Sequence, residues 1–348
     1  MVLPPEQVSE IRAALEKSQS PLFIYDDDPD GLCSFLLLYR LVQRGRGMML
    51  KTSSKLGEEW VDRVSKYGAD CVFVLDVPEI SQDFLDKVKL PVYWIDHHTP
   101  LQLTGVHYYN PRIADAHAYI PTTRLAYEVV KGTLVAERDL WIAAVGSVAD
   151  WHVPDFGPAF ALRYPDLFSA DISHPEDALY DTLTGKLARI FSFLLKGKTN
   201  DALACVKILT RIEDPYEILK GTTSRGRFVL KRFEGINKQY ETLLQEALSQ
   251  ASRKRFFVFY YTEATWSFTS ELSTELSHRY PKKVILICRE KNEEYKCSLR
   301  SREKPIEPAL KKAIQGLQAT GGGHEYACGA VIKVADFELF LARLKKAY

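Results

Sequence analysis

The sequence predicts an α/β protein: a mostly parallel-sheet N-terminal domain, a helical connector and a smaller C-terminal α/β domain. Three observations predict it. Short apolar runs at 21–25, 71–75 and 91–95 alternate with helix-like stretches, the pattern of buried parallel strands joined by crossover helices. Residues 151–226 carry mostly helical periodicity, and strand-like runs restart at 256. The 348 residues also exceed one ordinary core, which favours two domains. The corresponding boundaries are 1–155, 156–252 and 253–348.

The elements follow in chain order. Residues 21–25 form a first strand ending in acids, and 31–42 (GLCSFLLLYRLV) are apolar nearly all round, as in a helix buried against a sheet. A strand over 47–52 and a short helix over 60–67 come next, then the strands 71–75 and 91–95. Phe233, Ile236, Tyr240, Leu243, Leu244 and Ala247 recur at helical spacing, so 231–252 reads as a long amphipathic helix joining the domains. Strands are expected at 256–261, 284–288, 295–299 and 330–334, with helices at 269–279, 307–317 and 336–346.

Charge and cysteine usage exclude several classes. Lys and Arg number 46 against 45 Asp and Glu, a net charge of +1, so any grip on nucleic acid is a local patch. The six cysteines include no C-x-x-C pair, which favours a reducing, cytoplasmic setting over a disulfide framework. No signal-like or membrane-length apolar stretch is present, so no membrane partner is expected.

The chemistry concentrates at strand ends. Asp26-Asp27-Asp28-Pro29-Asp30-Gly31 packs four carboxylates into five positions, a repulsive arrangement that a cation relieves. Alternation along an extended segment would aim Asp26, Asp28 and Asp30 at one point, with Gly31 allowing a sharp turn into the helix. Alone, the cluster fits a solvated acidic loop capping a helix equally well. Asp96-His97-His98 follows a strand and offers one imidazole to a metal and one to substrate. Asp76 and Asp150 are single acids whose value is combinatorial. Together these donors suit a pair of Mn²⁺ or Mg²⁺ ions, and the lack of nearby cysteine argues against structural zinc. In the C-terminal part, Gly321-Gly322-Gly323-His324 could form a turn that approaches a phosphate, and Arg300 and Arg302 end a strand with guanidinium forks. Trp266 and Phe268 could stack on a planar ligand group, although an aromatic there is more often core.

In this order the segments DDDPDG, the Asp76 strand end, DHH, GSVAD (146–150) and GGGH resemble the DHH phosphoesterase superfamily. That superfamily includes RecJ-type nucleases, nano-RNases and cyclic-dinucleotide phosphodiesterases. The resemblance runs from about residue 20 to the end and implies roles for named residues. Asp28 and Asp30 would each hold one metal, Asp76 would bridge, and His97 and Asp150 would complete the second site. Asp26 stands where RecJ-like members carry an aspartate and others a histidine. Asp96 would orient His97, and His98 would face the substrate phosphate, making Asp76, His97 and His98 the catalytic group. Arg300, Gly322, Gly323 and His324 would bind the nucleotide. Asn110, Thr122 and Thr123 fall at further family positions whose roles stay open.

No stretch is left for the oligonucleotide-binding barrel of bacterial RecJ, so the chain looks closer to compact archaeal RecJ-like exonucleases and nano-RNases. The implied function is a metal-dependent exonuclease acting on single-stranded RNA or DNA from the 3′ end, in DNA repair. Two divalent ions would serve it, Mn²⁺ ahead of Mg²⁺, with a helicase or replication and repair protein as partner. The alternatives are a nano-RNase or cyclic-dinucleotide phosphodiesterase, a pyrophosphatase, and an inactive replication or repair scaffold. The scaffold is disfavoured because all the acids and both histidines are present.

Overall fold

The computed structural model describes residues 2–51, 55–262 and 265–348. The chain divides into two compact units, Met1–Phe233 and Glu234–Tyr348. Strands of the first unit are β1 (Pro21–Asp26), β2 (Arg46–Leu50), β3 (Lys55–Leu56), β4 (Cys71–Leu75), β5 (Glu79–Ile80), β6 (Val92–Ile95) and β7 (His107–Tyr109). Among the described residues, β2-β1-β4-β6-β7 form one sheet, parallel throughout, and β3 pairs with β5. The strand expected over 47–52 is β2; Thr52 lies outside the described residues. The helix expected over 60–67 is a 3-10 turn at Glu58–Trp60 followed by Val61–Ser65.

Register matters most here. Asp26 stands beside Leu50, Tyr25 beside Leu75, Leu75 beside Ile95 and Ile95 beside Tyr109, so the strands end level. β1, β4 and β6 therefore each deliver an aspartate to one edge. Both faces are covered, as a parallel sheet requires. On one face Leu22, Ile24, Val72, Val74 and Trp94 pack with Leu56, Trp60 and Phe84. On the other, Phe23 stacks on Phe73 at 5.5 Å and Phe73 on Tyr93 at 5.0 Å, while Phe35 of the Pro29–Val42 helix stacks on Tyr25 at 4.7 Å.

That helix is enclosed by the helices Thr122–Val130 and Leu140–Ala149, which explains its apolar circumference. Its one deep cation is Arg40, 4% exposed, which donates to Asp139 Oδ1 at 2.7 Å and to the Leu209 carbonyl at 2.6 Å. The bond to Leu209 ties the end of the Thr199–Leu209 helix into the first unit.

In the second unit β8 (Phe256–Tyr261), β9 (Val284–Lys291), β10 (Glu294–Arg300), β11 (Ala319–His324) and β12 (Ala327–Lys333) form a sheet in the order β11-β12-β10-β9-β8. Only β8–β9 is parallel among these pairs. Asn292 and Glu293, with φ of 53° and 58°, make the two-residue turn from β9 to β10, the twist-matched form for a hairpin.

Two expectations change. The glycine-rich segment is no turn: Gly321–Gly323 lie in edge strand β11, paired with β12. Gly323 has φ +141°, and a Cβ there would stand 2.6 Å from the Ala327 carbonyl oxygen. Its need for glycine is this close backbone approach. The long helix starts at Ser224, before the expected 231, and runs to Ser249. Thr223 caps it by accepting the Gly226 amide at 3.1 Å, a signal hidden among polar residues.

Arg40→Ala removes one of the two arginines on the fully buried Asp139, which keeps Arg138 Nε at 2.9 Å and Nη2 at 2.6 Å, so it should cost about 1–3 kcal/mol. Denaturant unfolding of the variant measures it. A loss under about 1 kcal/mol would show that Arg138 alone satisfies Asp139.

Candidate metal centre

The acidic segment is bent, not extended. Asp26 is the last residue of β1, while Asp28 is the N-cap of the Pro29–Val42 helix and accepts the Gly31 amide at 2.9 Å on Oδ1. Asp30 sits inside the first helical turn, 1% exposed. Gly31 serves by its size: a Cβ would stand 2.8 Å from the Asp26 amide nitrogen and carbonyl oxygen. Folding the loop onto itself replaces the alternation expected from the sequence.

Asp30 is held by two backbone donors, Thr122 at 2.8 Å and Thr123 at 2.7 Å, at the start of the Thr122–Val130 helix. The Thr122 hydroxyl donates to Asp76 Oδ1 at 3.0 Å. These two threonines, whose roles were open, are the clamps that aim two carboxylates. Asp76 follows β4 with φ 61°, a left-handed backbone that a non-glycine residue adopts at a cost of about 1–3 kcal/mol. Asp150 ends the Leu140–Ala149 helix, where its Oδ2 accepts the Tyr119 hydroxyl at 3.0 Å.

His97 closes the arrangement. Its Nε2 lies 3.4 Å from Asp76 Oδ1, 3.6 Å from Asp150 Oδ2 and 3.9 Å from Asp30 Oδ2. Asp30, His97 and Asp150 offer donor atoms within 4.8 Å of one another, and so do Asp76, His97 and His98. Asp26 and Asp28 border these groups: the Asp28 charge acts on Asp26, and His97 and Asp30 act on Asp28.

The partner of Asp96 differs from expectation. Its Oδ1 lies 2.8 Å from His98 Nδ1 and its Oδ2 accepts the His98 amide at 3.0 Å. Asp96 thus orients His98, not His97, because the backbone turns back after β6. Asn110 braces the same group, donating to the His98 carbonyl at 2.9 Å and to Asp96 Oδ2 at 3.3 Å. His97 Nδ1 is buried without a hydrogen-bond partner among the described residues.

Electrostatics separate the two imidazoles. Burial, then the neighbouring His98, holds His97 down to about 4, so it presents a neutral ring with a free lone pair. Burial also acts to lower His98, but the Asp96 hydrogen bond and charge outweigh it and the net shift is upward. Burial raises Asp28, Asp30, Asp76 and Asp150, and mutual repulsion raises Asp28, Asp76 and Asp150 further. Asp26 rises to about 8, from burial and then Asp28. Hard carboxylate oxygens with a neutral imidazole fit a divalent cation, which would remove the repulsion the folded chain otherwise carries.

The model of the DHH family N-terminal domain matches residues 22–147, and that of the DHHA1 domain matches residues 253–348. The chain belongs to the DHH superfamily of phosphoesterases. Solved structures share its fold at low identity. RecJ of Thermus thermophilus in complex with Mn²⁺ gives a TM-score of 0.68 and 17% identity, covering 99% of this chain and 55% of that one. This DHH protein therefore spans about half the length of that RecJ. An exonuclease RecJ bound to manganese gives 0.63 and 18%, covering 100% and 96%. The pGpG-specific phosphodiesterase of Vibrio cholerae gives 0.55 and 14%, covering 94% and 98%. No curated protein sequence matches significantly.

Within the DHHA1 unit, register groups the expected substrate residues. Arg300 of β10 and His324 of β11 both stand opposite Ala327 of β12. Arg300 donates to Ser270 Oγ at 3.2 Å and to Thr274 Oγ1 at 3.3 Å, which fixes its fork, while His324 is exposed. Phe268 is fully buried against Tyr240 and serves as core; Trp266 is half-buried. Tyr119 was not legible beforehand, since nothing in its neighbourhood marks a tyrosine 31 positions upstream as the partner of Asp150.

A carboxylate raised from 3.8 to about 8, as Asp26 is, binds more protons folded than unfolded between those limits. Its contribution to stability therefore falls as pH rises through that window. A cation displaces the same protons, so Mn²⁺ should raise the melting temperature more at pH 8 than at pH 5. At a hundredfold excess over Kd the gain is about 2.7 kcal/mol. Asp76→Asn should remove most of this shift; thermal melts with Mn²⁺ and with EDTA measure both. A Mn²⁺ shift independent of pH would show that these carboxylates do not hold the ion.

Proposed function

We propose that the protein is a metal-dependent exonuclease that hydrolyses phosphodiester bonds in single-stranded RNA or DNA, working from the 3′ end. One observation carries this reading: Asp30, Asp76 and Asp150 converge on His97 Nε2 at the carboxyl edge of a parallel sheet, with His98 beside them. Ligands bind at that edge in open α/β sheets. Asp26, Asp28, Asp30, Asp76, His97 and Asp150 would hold two divalent ions, with Mn²⁺ favoured over Mg²⁺.

Such ions, when bound, offset the phosphodiester charge and acidify water for attack. The chain's own groups do the rest. Tyr119 and the Thr122–Thr123 clamp keep Asp150, Asp30 and Asp76 in place. The helix that begins at Pro29 points its positive end towards the same region. His98, whose proton affinity Asp96 raises, would donate to a phosphoryl oxygen and stabilise the developing charge. Arg300 and His324, with backbone from Gly322 and Gly323, would be the phosphate contacts of the second unit.

A second reading is a phosphodiesterase for very short or cyclic oligonucleotides. It is favoured by the Vibrio cholerae pGpG-specific enzyme, whose fold aligns over 98% of its length with this chain. Degradation of end-labelled single strands of graded length in Mn²⁺ separates the two. The exonuclease reading expects ladders shortening from the 3′ end on long and short substrates alike. Turnover confined to dinucleotides and cyclic species would sink it.

His98→Gln should lower kcat by about a hundredfold or more while leaving the Mn²⁺-induced melting shift intact. An unchanged kcat would remove His98 from the phosphate-binding role.

A further inference from the structure

Away from the acidic edge, β2 is the outer strand of the first sheet. A cavity of about 490 Å³ lies along it, lined by Arg46, Met49, Trp60, Arg63, Lys66 and Tyr67 among others. That volume suits a bound organic group. No carboxylate is among the lining residues, and Arg46, Arg63 and Lys66 have no acidic partner among the described residues. For a chain of net charge +1, three unneutralised cations around one cavity are a concentrated positive field. None of the three falls in the segments that build the metal centre.

The two arginines are also oriented. The Arg63 guanidinium lies 4.4 Å from the centre of the Trp60 ring, and that of Arg46 lies 5.6 Å from the centre of Tyr67. Trp60 is anchored in the core at 5% exposure, so it is a rigid platform. An arginine resting on an aromatic ring keeps its fork free for phosphate and its outer face free for a base. Cations with planar stacking faces, in a groove without acids, are what a single-stranded nucleic acid recognises.

Position links the cavity to the metal centre. Arg46 pairs with Leu22 and Leu50 with Asp26, so β2 runs from the cavity to the acidic loop. Four residue steps along a strand span about 13 Å.

We propose that this cavity binds the single-stranded nucleic-acid chain a short distance from the bond being hydrolysed, through phosphates on Arg46, Arg63 and Lys66 and bases on the arginine faces. This deepens the exonuclease reading and rests on it for the identity of the chain. A grip outside the hydrolytic centre serves a long substrate and is useless to a dinucleotide.

The test is the triple variant Arg46→Gln, Arg63→Gln, Lys66→Gln, whose side chains are exposed. Binding of a fluorescent single-stranded oligonucleotide is measured by anisotropy in EDTA over a salt series. Turnover of that oligonucleotide and of a dinucleotide is measured in Mn²⁺. The proposal expects about tenfold or greater loss of oligonucleotide affinity, with a salt slope shallower by about 2 for three lost phosphate contacts. Dinucleotide turnover should stay at the wild-type rate while kcat/KM on the long strand falls. Equal oligonucleotide affinity and slope in variant and wild type would overturn the cavity assignment, whatever the hydrolysis result. So would a wild-type protein that ignores the oligonucleotide and instead binds an acidic peptide through these residues. If neither protein hydrolyses any substrate but the affinity loss is seen, the cavity stands and the exonuclease reading falls.

Discussion

Buried like charge is the constraint around which the first unit is arranged. Asp28, Asp30, Asp76 and Asp150 converge where water is largely excluded, and burial pushes every one of them towards its protonated form. Other groups hold such a cluster in register, and a bound cation would neutralise it. The level strand ends, the left-handed Asp76, the glycine pressed against Asp26 and the paired threonine amides all serve that purpose. The Arg40–Asp139 bond braces the same scaffold from beneath, by locking the helix that carries Asp28 and Asp30 to the segment leading to Asp150.

The adjacent histidines show how one strand end can produce two chemistries. His97 is neutral because it is buried and sits beside a second imidazole. His98, half-exposed and bonded to Asp96, is biased towards its charged form. A neutral ring suits a ligand, and a cationic one suits a phosphate oxygen. Asp96 creates that difference by choosing its neighbour two positions on, with Asn110 and Tyr108 completing the network.

In the second unit, close backbone packing sets the positions of the charged residues. Glycines in β11 let two strands meet where a side chain would intrude, and their pairing puts His324 and Arg300 on either side of Ala327. In the first unit, Arg46 and Arg63 rest on aromatic rings beside the edge strand of the sheet, where the cavity lining holds no carboxylate.

By itself the sequence determined the alternating α/β order, the parallel character of the first sheet and the identity of the acids and histidines. Those features are local: apolar run length, helical spacing and ordered motifs survive in one dimension. It determined less about how the donors meet. The bent acidic loop, the pairing of Asp96 with His98, the strand conformation of the triple glycine and the part played by Tyr119 depended on tertiary structure. The Asp96–His98 pairing is a local turn; the others rest on a contact between segments distant along the chain or on backbone packed too closely for a Cβ, and none of these leaves a periodic trace in the sequence. The cavity beside β2 is the extreme case. Arg46, Arg63 and Lys66 look like ordinary solvated charge until the fold places them around one space, beside aromatic rings and with no carboxylate in its lining.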